Sequence, residues 1–549
     1  MGKKFLITML SLLVSVGLAF AQTRTVTGTV TSAEDGLPAI GASVMVKGTT
    51  IGAVTDVDGK FVLTGVPANA TTLEISSIGM ITQEVPIRAT VNVILETDHE
   101  TLEEAVVTIA YGAAKRSSLT GAIASVNSEK IANRPTSNVA TALEGTVSGV
   151  QINSTYGNPG SDPSIYIRGI GTINGTTSPL YILDGVAYGG NISDLNPADI
   201  ESISVLKDAA SAALYGNRAS NGVILITTKK GTQGRVNMTL DIKQGMYTRG
   251  IPEYDLANAN QWMEMYWMEM KNERVSAGLS EEDAAAYANA NLIKDKVFLN
   301  IYNKSNSELF DENGKIVSDA RILDIYKEDL DWYKVGLRKG HRQEYNISGS
   351  GATDRSDYYF SLGYLDENGY VTNSGFERYS ARASANIKPN SWIKAGLNLA
   401  ATHQNYENTN GGSSNSYTNV FMYARQIAPV YPVHLHNIYT GEYILDAAGN
   451  KQYDGGEYVD ENGAVIKTRN QYGDRHVIWE NELNKDVSVR NTANATAFAD
   501  IYFLNDFTFT VTGNMNVRND INKTYNNAVI GDGKGNHGRG SREEYTYLN

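Results

Sequence analysis

Hydrophobic and polar residues alternate along much of the chain after Gly231. In 393–402 and 507–517, apolar side chains fill nearly every second position, and lysine, asparagine or threonine fills most positions between them. Successive side chains of a β-strand point to opposite faces, so this period of two predicts strands with one apolar and one polar face. The pattern predicts seven strands, which begin near these residues: Arg235, His341, Ser356, Phe376, Trp392, Val487 and Phe507.

The connections between these predicted strands alternate in length. Three are short turns, at 351–355, 388–391 and 504–506. The other four are long: 248–340, 367–375, 406–485 and the residues from 519 onward. A transmembrane barrel joins its strands by short periplasmic turns and longer outer loops, with one strand face in lipid. A soluble sandwich could show the same alternation, but it would not explain the connections. Residues 235–549 are therefore predicted to form the first part of a transmembrane antiparallel β-barrel.

Residues 23–97 show the same alternation on a smaller scale. Short alternating runs are separated by turns at 34–36 and 56–59, which predicts a small β-sandwich. The Asp56 turn lacks a following series of ligands that ends in glutamate, so we predict a tight hairpin there and no metal site.

Residues 115–231 combine strands with a short helix. Leu180–Leu183, 203–206 and Val223–Thr228 are predicted strands, and Asp208 is predicted to cap a helix over 209–215 that stops at Gly216. The predicted fold class is therefore mainly β, with a small β-sandwich, an αβ domain and part of a barrel.

The first 21 residues have the composition of an export signal. Lys3 and Lys4 precede an apolar run from Phe5 to Phe20, and Ala19-Phe20-Ala21 is a small-x-small cleavage motif before Gln22. The run is shorter than the roughly 20 residues that a spanning helix needs, so we predict a signal peptide over 1–21.

Composition narrows the classes of function. The chain has 549 residues, a net charge of −13 and no cysteine. The acidic balance provides no basic surface for nucleic acid. The absence of cysteine excludes disulfides, thiolate metal sites, thiol nucleophiles and an N-terminal lipid anchor.

Three motifs follow one another within the αβ region: YIRGIGT at 166–172, PLYILDGV at 179–186 and ISVLKDAASAALYGNRASNGVILITTKKG at 203–231. They resemble the plug domain of TonB-dependent outer-membrane transporters, specifically the SusC/RagA-like branch. The resemblance implies a plug that sits inside a barrel and moves when a periplasmic energy protein pulls on the segment before it. The plug-motif residues that we single out are Arg168, Gly169, Asp184, Gly185, Lys207, Asp208, Tyr215 and Gly216.

The region 23–97 resembles the carboxypeptidase regulatory-like domain that often precedes such plugs. The name implies no peptidase here, because no cluster of zinc ligands accompanies it.

The segment 101–112 lies between the predicted sandwich and the plug. Its β-branched residues favour an extended state, and an extended segment can add a strand to an exposed sheet edge of a partner. It resembles the TonB box of the family, although Thr108, Ile109 and Ala110 depart from the usual valine-rich and acidic form. A plain linker is the alternative. The predicted coupling residues are Glu104, Ala105, Val106, Val107, Thr108 and Ile109.

Two charged residues of the plug motifs are candidates for a lock. Arg168 ends an alternating strand and precedes Gly169, and its guanidinium could bind several acceptors of the barrel or of the plug itself. Asp184, before Gly185, is either a turn former or a member of the same polar network. We predict structural support for Asp184 rather than contact with a substrate.

Three classes of function compete: an importer, an enzyme and a passive surface barrel or adhesin. Seven scattered histidines and the absence of His-Glu-x-x-His and Gly-x-Ser-x-Gly motifs argue against an enzyme, so no catalytic residue, metal or cofactor is predicted. An adhesin needs neither a plug nor a coupling segment. We therefore favour an importer and keep the passive barrel as the alternative.

The resemblance implies the partners and the location of the importer. It would take up oligosaccharides or peptides with a SusD-like surface lipoprotein as lid and with the TonB–ExbB–ExbD complex as energy source. It would lie in the outer membrane of a Gram-negative, Bacteroidota-like cell after Sec export.

The long connections are predicted to form the outer mouth of the pore. An alanine-rich helix is expected after Ser280, and Tyr417, Tyr423 and Tyr431 are candidates for stacking on a ligand. The sequence does not select the substrate-binding residues among them.

Seven strands are fewer than the roughly 22 of plugged transporters, and 543–549 lacks a terminal aromatic residue. We expect that stretch to lie in an outer loop, and we expect a truncated chain that does not transport alone.

Overall fold

The computed structural model describes residues 23–33, 36–77, 80–96, 106–109, 112–115, 123–132, 134–154, 158–208, 212–231, 236–408, 417–459, 464–469, 471–504 and 506–549. The predicted signal peptide and the predicted coupling residues Glu104 and Ala105 lie outside these ranges. Among the described residues, no helix combines the length and the apolar character needed to cross a membrane.

The first compact unit is the predicted small sandwich. Its strands are β1 Thr23–Ser32, β2 Ser43–Val46, β3 Gly52–Val54, β4 Lys60–Pro67, β5 Thr72–Ser76, β6 Gln83–Pro86 and β7 Thr90–Leu95. They form one sheet in the order β4-β1-β7 and another in the order β3-β2-β5-β6. Val30, Val44, Phe61 and Leu73 are buried in one cluster, because alternate residues of each strand point inward.

A two-stranded sheet and the αβ domain follow along the chain. The two strands are β8 Val106–Ile109 and β9 Gly112–Lys115. The αβ domain contains β10 Ile123–Asn127, α1 Ser128–Ala132, β11 Val150–Asn153, β12 Ser164–Ile167, β13 Leu180–Leu183, β14 Val186–Ala187, β15 Ile200–Leu206 and β16 Val223–Thr228. Its main sheet has the order β10-β15-β16-β13-β14, and β11 pairs with β12.

The three strands predicted for the αβ domain are confirmed, as β13, β15 and β16. The predicted helix falls partly outside the described residues. Its later part belongs to a 3₁₀ segment, Ala213–Ala219, which is broken at Gly216, where φ is 63°. A positive φ suits glycine, which has no Cβ, so Gly216 does end the first turn as the sequence predicts.

The remaining strands form one antiparallel sheet of eight, which we call the strand wall. They are β17 Asn237–Tyr247, β18 Gly340–Ala352, β19 Ser356–Asn368, β20 Gly375–Asn390, β21 Ile393–Glu407, β24 Lys485–Phe503, β25 Phe507–Asn526 and β26 Arg539–Leu548. Each strand pairs with the next in chain order, with β17 and β26 at the edges. All seven predicted strands are present, and their connections alternate between short and long as expected.

The eighth strand, β26, corrects the sequence-based expectation for 543–549. Residues 543–548 lie in β26 and pair with β25, for example Tyr545 with Asp520. The segment is rich in charged residues on both faces, so it lacks the apolar period that predicted the other strands.

The two faces of the strand wall differ as the alternation predicts. On β20, Arg378 and Arg382 are buried, whereas Tyr379 and Ile387 are exposed. The polar face lies against the αβ domain, and the outward face carries exposed apolar and aromatic side chains, as lipid-facing strands do.

The long connections fold into helices, short strands and a shared core. They contain α2 Ala259–Ser276, α3 Glu281–Leu292, α4 Asp324–Lys327, α5 Trp332–Gly336, α6 Val420–Gln426, β22 Glu457–Val459, β23 Val465–Thr468 and α7 Val477–Leu483. Ser280 caps α3 by accepting a hydrogen bond from the Asp283 amide, which confirms the helix predicted there. The cluster that we call the loop core joins Met263, Trp267 and Trp332 of one connection to residues of another.

Candidate functional site

Two buried arginines of β20 reach from the strand wall into the αβ domain. Arg378 is fully buried, and its Nη1 donates to the carbonyl oxygens of Ser137 at 2.8 Å, Ser193 at 3.3 Å and Leu195 at 3.3 Å. A buried guanidinium is costly unless its donors are satisfied, so these carbonyls stabilise it. The wall thus holds the backbone of the αβ domain at three points through one side chain.

Arg382 contacts the end of β16 and the turn after β13. Its Nη1 donates to the Lys229 carbonyl at 2.9 Å, its Nη2 hydrogen-bonds the Thr228 hydroxyl, and Nη2 lies 3.8 Å from Asp184 Oδ2. Asp184 also accepts hydrogen bonds from the Thr228 amide at 2.9 Å and from Asn398 of β21 at 2.8 Å. The structure therefore places Asp184 in a polar network that spans both parts.

Backbone geometry brings Asp184 to this position. Asp184 and Gly185 form the two-residue turn between β13 and β14, with φ values of 48° and 88°. Positive φ at both central residues is the signature of a type I′ hairpin turn, which aspartate and glycine adopt readily. The same turn therefore shapes the hairpin and directs a carboxylate to the wall.

A second group of charges lies farther along the wall. Arg490 of β24 is 2.9 Å from Asp520 of β25 and 3.5 Å from Asp194 of the αβ domain. Arg518 donates to Asn191 at 2.9 Å and to Asp520 at 2.7 Å. Burial raises the pKa of the Asp194 carboxyl to about 6, although Arg490 opposes the shift.

Further hydrogen bonds complete the interface. Asn196 donates to Asn346 at 2.8 Å and to Ser380 at 3.1 Å, and the Tyr359 hydroxyl donates to Asp199 at 2.9 Å. A cavity of about 220 Å³ near Asp162 and Arg490 also remains between the two parts. Polar groups regain hydrogen bonds in water, so an interface of this kind separates at a lower net cost than an apolar core of equal area.

Arg168 does not join this interface in the structure. It is exposed, has a φ of 58° and precedes Gly169 at 98°. Its amide donates to the Gly149 carbonyl at 2.8 Å, but within the described ranges its guanidinium has no hydrogen bond or ion pair. The role of Arg168 as a lock stays a prediction, whereas Arg378 and Arg382 hold the two parts together in the described part of the chain.

The other plug-motif residues lie within the αβ domain. Lys207 Nζ donates to the Ser148 carbonyl at 3.0 Å. The Asp208 carbonyl accepts from the Ala212 amide at 3.1 Å, and the partly buried ring of Tyr215 packs on the cluster around Leu206. Their contacts support the domain, and their functional role stays a prediction.

The predicted coupling segment is extended where the structure describes it. Val106, Val107, Thr108 and Ile109 form β8, which pairs with β9. This agrees with the expected extended conformation, whereas coupling itself stays a prediction.

Two of the three candidate loop aromatics are buried. Tyr423 and Tyr431 lie in the loop core, whereas Tyr417 is exposed. The Tyr423 hydroxyl donates to the Arg475 carbonyl at 3.0 Å, so this ring supports the core and cannot stack on a ligand. Aromatic composition alone does not separate core rings from surface rings.

The alternation of the strands did not mark the arginines of the wall as functional. Arg382 does occur on the polar side of a predicted strand, where an arginine among serines and asparagines is the signal that could have found it. A long cationic side chain on a face predicted to be enclosed needs acceptors from whatever domain covers that face.

Comparisons with known proteins agree with the architecture. The profile of the TonB-dependent Receptor Plug Domain matches residues 115–223, and that of the CarboxypepD_reg-like domain matches residues 26–107. TonB-dependent receptor P39 of Formosa agariphila is 35% identical over 415 residues, which cover 75% of this chain and 36% of that relative. TonB-dependent receptor SusC of Bacteroides thetaiotaomicron is 34% identical over 379 residues, covering 68% of this chain and 32% of that relative.

A solved structure of the RagAB peptide importer in an open-open state has a similar fold. It matches with a TM-score of 0.58 and 25% identity, over 81% of this chain and 45% of that chain. The chain spans about a third of the length of the curated relatives that it matches. The two matched domains, the strand wall, these relatives and the RagAB structure together support a SusC/RagA-like TonB-dependent receptor.

Proposed function

We propose that this chain is part of an energy-coupled importer for oligosaccharides or peptides in the Gram-negative outer membrane. The observation that carries the proposal is the polar interface through which Arg378 and Arg382 hold the αβ domain to the wall. A domain held by hydrogen bonds and ion pairs can shift against its support without exposing a large apolar core. That property suits a movable plug.

The proposed mechanism begins at the coupling segment. A periplasmic TonB protein, energised by ExbB and ExbD, would add a strand to 104–109 and pull on the chain ahead of the plug. Force on the plug would then break its contacts with the wall, among them those of Asp184 with Arg382 and Asn398. Once separated, the polar face of the wall would line a hydrated path for the substrate.

Relatives support the partners and the location. Homologous TonB-dependent receptors are outer-membrane proteins, and the RagAB structure is described as that of a peptide importer. By analogy we propose a SusD-like lipoprotein as lid on the outer side and an export signal over 1–21. The relatives are receptors and not enzymes, so we propose no catalytic residue.

Deleting 103–110 in the full-length protein tests the coupling role. The deletion should leave substrate binding at the outer face unchanged and abolish uptake, because the energy protein loses the strand that it grips. Uptake of labelled substrate into cells and binding to purified protein would be measured side by side.

A length-matched control distinguishes the loss of the coupling strand from the shortening of the segment before the plug. Replacing 103–110 by a permuted segment with the same β-branched residues should preserve uptake in part, because an added strand makes few demands on sequence. Normal uptake after the deletion would favour a passive barrel and would rule out the proposed coupling.

A further inference from the structure

An open cleft of about 870 Å³ lies outside the plug interface, among the long connections. It is lined by 249–254 and Leu256, by Tyr370 and by residues of α6, including Phe421 and Arg425. Pockets for small ligands have volumes of this order, roughly 300 to 1,000 Å³. The cleft is thus of a size to hold a short ligand rather than a whole protein domain.

Two arginines that line this cleft bind the same carboxylate. Arg249 Nη2 lies 2.7 Å from Glu253 Oε2, and Arg425 Nε lies 3.1 Å from Glu253 Oε1. The Tyr333 hydroxyl donates to Glu253 at 2.7 Å. Burial alone would raise the pKa of Glu253, but these hydrogen bonds outweigh it and lower the pKa to about 2. The group therefore keeps one net positive charge over the whole physiological pH range.

The guanidinium groups retain donors that are not used. Arg425 is 39% exposed and engages Glu253 through Nε alone, and within the described residues no acceptor lies in hydrogen-bond reach of its two terminal nitrogens. Its guanidinium also lies 5.6 Å from the centre of the Tyr254 ring, and that of Arg249 lies 5.5 Å from Phe421. Stacking on rings restricts each guanidinium plane, which prepares it for a two-point contact with a carboxylate.

Several apolar or aromatic side chains of the cleft are exposed. Ile251, Tyr254 and Leu256 are 82%, 66% and 42% exposed. The polar side chains nearby are engaged: Asn419 accepts from two amides at the start of α6, and Gln426 Oε1 accepts from the Tyr472 hydroxyl. Aliphatic and aromatic side chains of a ligand would therefore find matching surface in the cleft.

We propose that this cleft binds a short peptide by its carboxylate, which Arg425 and Arg249 hold while neighbouring apolar side chains contact Ile251, Tyr254 and Leu256. The inference rests on the proposed importer function and narrows its substrate class to peptides with an apolar end. A C-terminal carboxylate supplies the planar two-oxygen group that a guanidinium matches.

Calorimetry on the purified full-length protein, without any lipoprotein partner, tests the proposal. The probes are N-acetyl-trileucine with a free C-terminal carboxylate and the same peptide as its C-terminal amide. We expect the acid to bind about 10- to 100-fold more tightly than the amide, because the amide cannot form the charge-assisted pair. Arg425→Gln should reduce the affinity for the acid to that for the amide, whereas Arg425→Lys should retain part of the difference.

Arg321→Gln is the matched control, since Arg321 is an exposed arginine of the connection between β17 and β18 and lies outside the cleft. This variant should bind both peptides like the unaltered protein, and thermal unfolding should show each variant folded. Equal binding of acid and amide, no binding of either, or an unchanged preference in Arg425→Gln would overturn the proposal. Binding that requires the lipoprotein would also overturn it and would make the cleft a protein-docking surface.

The outcomes distinguish this inference from the importer function. Energy-dependent uptake of another substrate without peptide binding would reject the cleft alone. Peptide binding together with normal uptake after deletion of 103–110 would reject the energy-coupled importer and leave the cleft intact.

Discussion

Arg378 and Arg382 occupy inward positions of one strand, four residues apart, and bind different segments of the plug. Each offers five donors in a fixed plane, and each finds backbone carbonyls near loop or strand ends that would otherwise need water. Lysine would place a single point charge there and satisfy fewer acceptors. The identity of these side chains therefore matters beyond their charge.

Arg382→Met should loosen the plug from the wall. The change removes the contacts with Lys229 and Thr228 and leaves the largely buried Asp184 carboxylate with less compensation, which we expect to cost about 3 kcal/mol. Hydrogen exchange of the β13–β16 amides in the full-length protein would measure the loss.

Arg168→Ala is the control for this change, because Arg168 is exposed and its guanidinium has no partner in the described part of the chain. It should leave exchange at β13–β16 unchanged. Loosening by Arg168→Ala with no effect of Arg382→Met would restore the sequence-based choice and contradict the geometry.

The contrast between these two arginines shows what single-residue patterns can predict. The turn at Asp184 was predictable because aspartate before glycine favours positive φ locally. The partner of an arginine depends on which segments fold against it, and Arg382 is 153 residues from its acceptor Lys229. The residues around Arg382 in the sequence therefore do not show which segment it contacts. Arg168, which lies in a plug motif, was for this reason the candidate that the sequence favoured.

At the scale of elements, α7 depends on two buried titratable groups. His476 precedes the helix and accepts from the Trp479 amide through Nδ1 at 3.1 Å, while Nε2 donates to the Val433 carbonyl at 2.9 Å. Burial lowers the pKa of His476 to about 3, so the ring is neutral and can fill both roles. Glu480, one turn later, is 2.9 Å from Arg475 and only 1% exposed.

Stability of the α7 region should fall as pH rises toward 7. Burial raises the pKa of Glu480 from 4.5 to about 7, although Arg475 opposes the shift. The protonated carboxyl is therefore favoured in the folded state, and its stabilisation is complete below pH 4.5 and lost as pH rises through about 7. We expect Glu480→Gln to remove this pH dependence, worth about 2 kcal/mol.

Thermal unfolding at pH 5 and pH 7.5, followed by tryptophan fluorescence, would detect the change. Glu482→Gln alters the exposed carboxylate of the same helix and should behave like the unaltered protein. An identical pH profile in Glu480→Gln and the unaltered chain would contradict the assignment.

Strands were the most predictable elements. A strand with lipid or solvent on one face and a plug on the other must alternate, so β20, β21 and β25 are visible in the sequence. β26 was not, because an edge strand with exposed charges on both faces lacks that constraint. A helix was expected over 209–215 with its end at Gly216, whereas the 3₁₀ segment Ala213–Ala219 continues beyond the kink at Gly216.

At the scale of the whole molecule, the outward face of the strand wall should tolerate charge poorly. Leu399 lies in the middle of β21 and is exposed on that face, so Leu399→Arg should cost about 2 to 4 kcal/mol if the face meets lipid. The expected result is less protein in the outer-membrane fraction and less of the heat-modifiable form.

Val529→Arg places the same charge at an exposed apolar residue in the connection between β25 and β26. Insertion should then be normal, because the residue lies beyond the strands. Equal insertion of the two variants would show that the outward face is not in contact with lipid.

The loop core joins connections that are far apart in the sequence. Trp332 of the first long connection packs on Tyr423 and donates to the Tyr431 carbonyl at 3.0 Å, and Asp329 hydrogen-bonds His436 at 2.9 Å. In evolutionary terms, neither connection could be exchanged alone for that of a related protein, because each packs on the other. If recombination joined two related genes between β18 and β21, the first long connection would come from one parent and the second from the other, and their packed surfaces would not be matched. The two connections, and any ligand specificity that they carry, would therefore be inherited together.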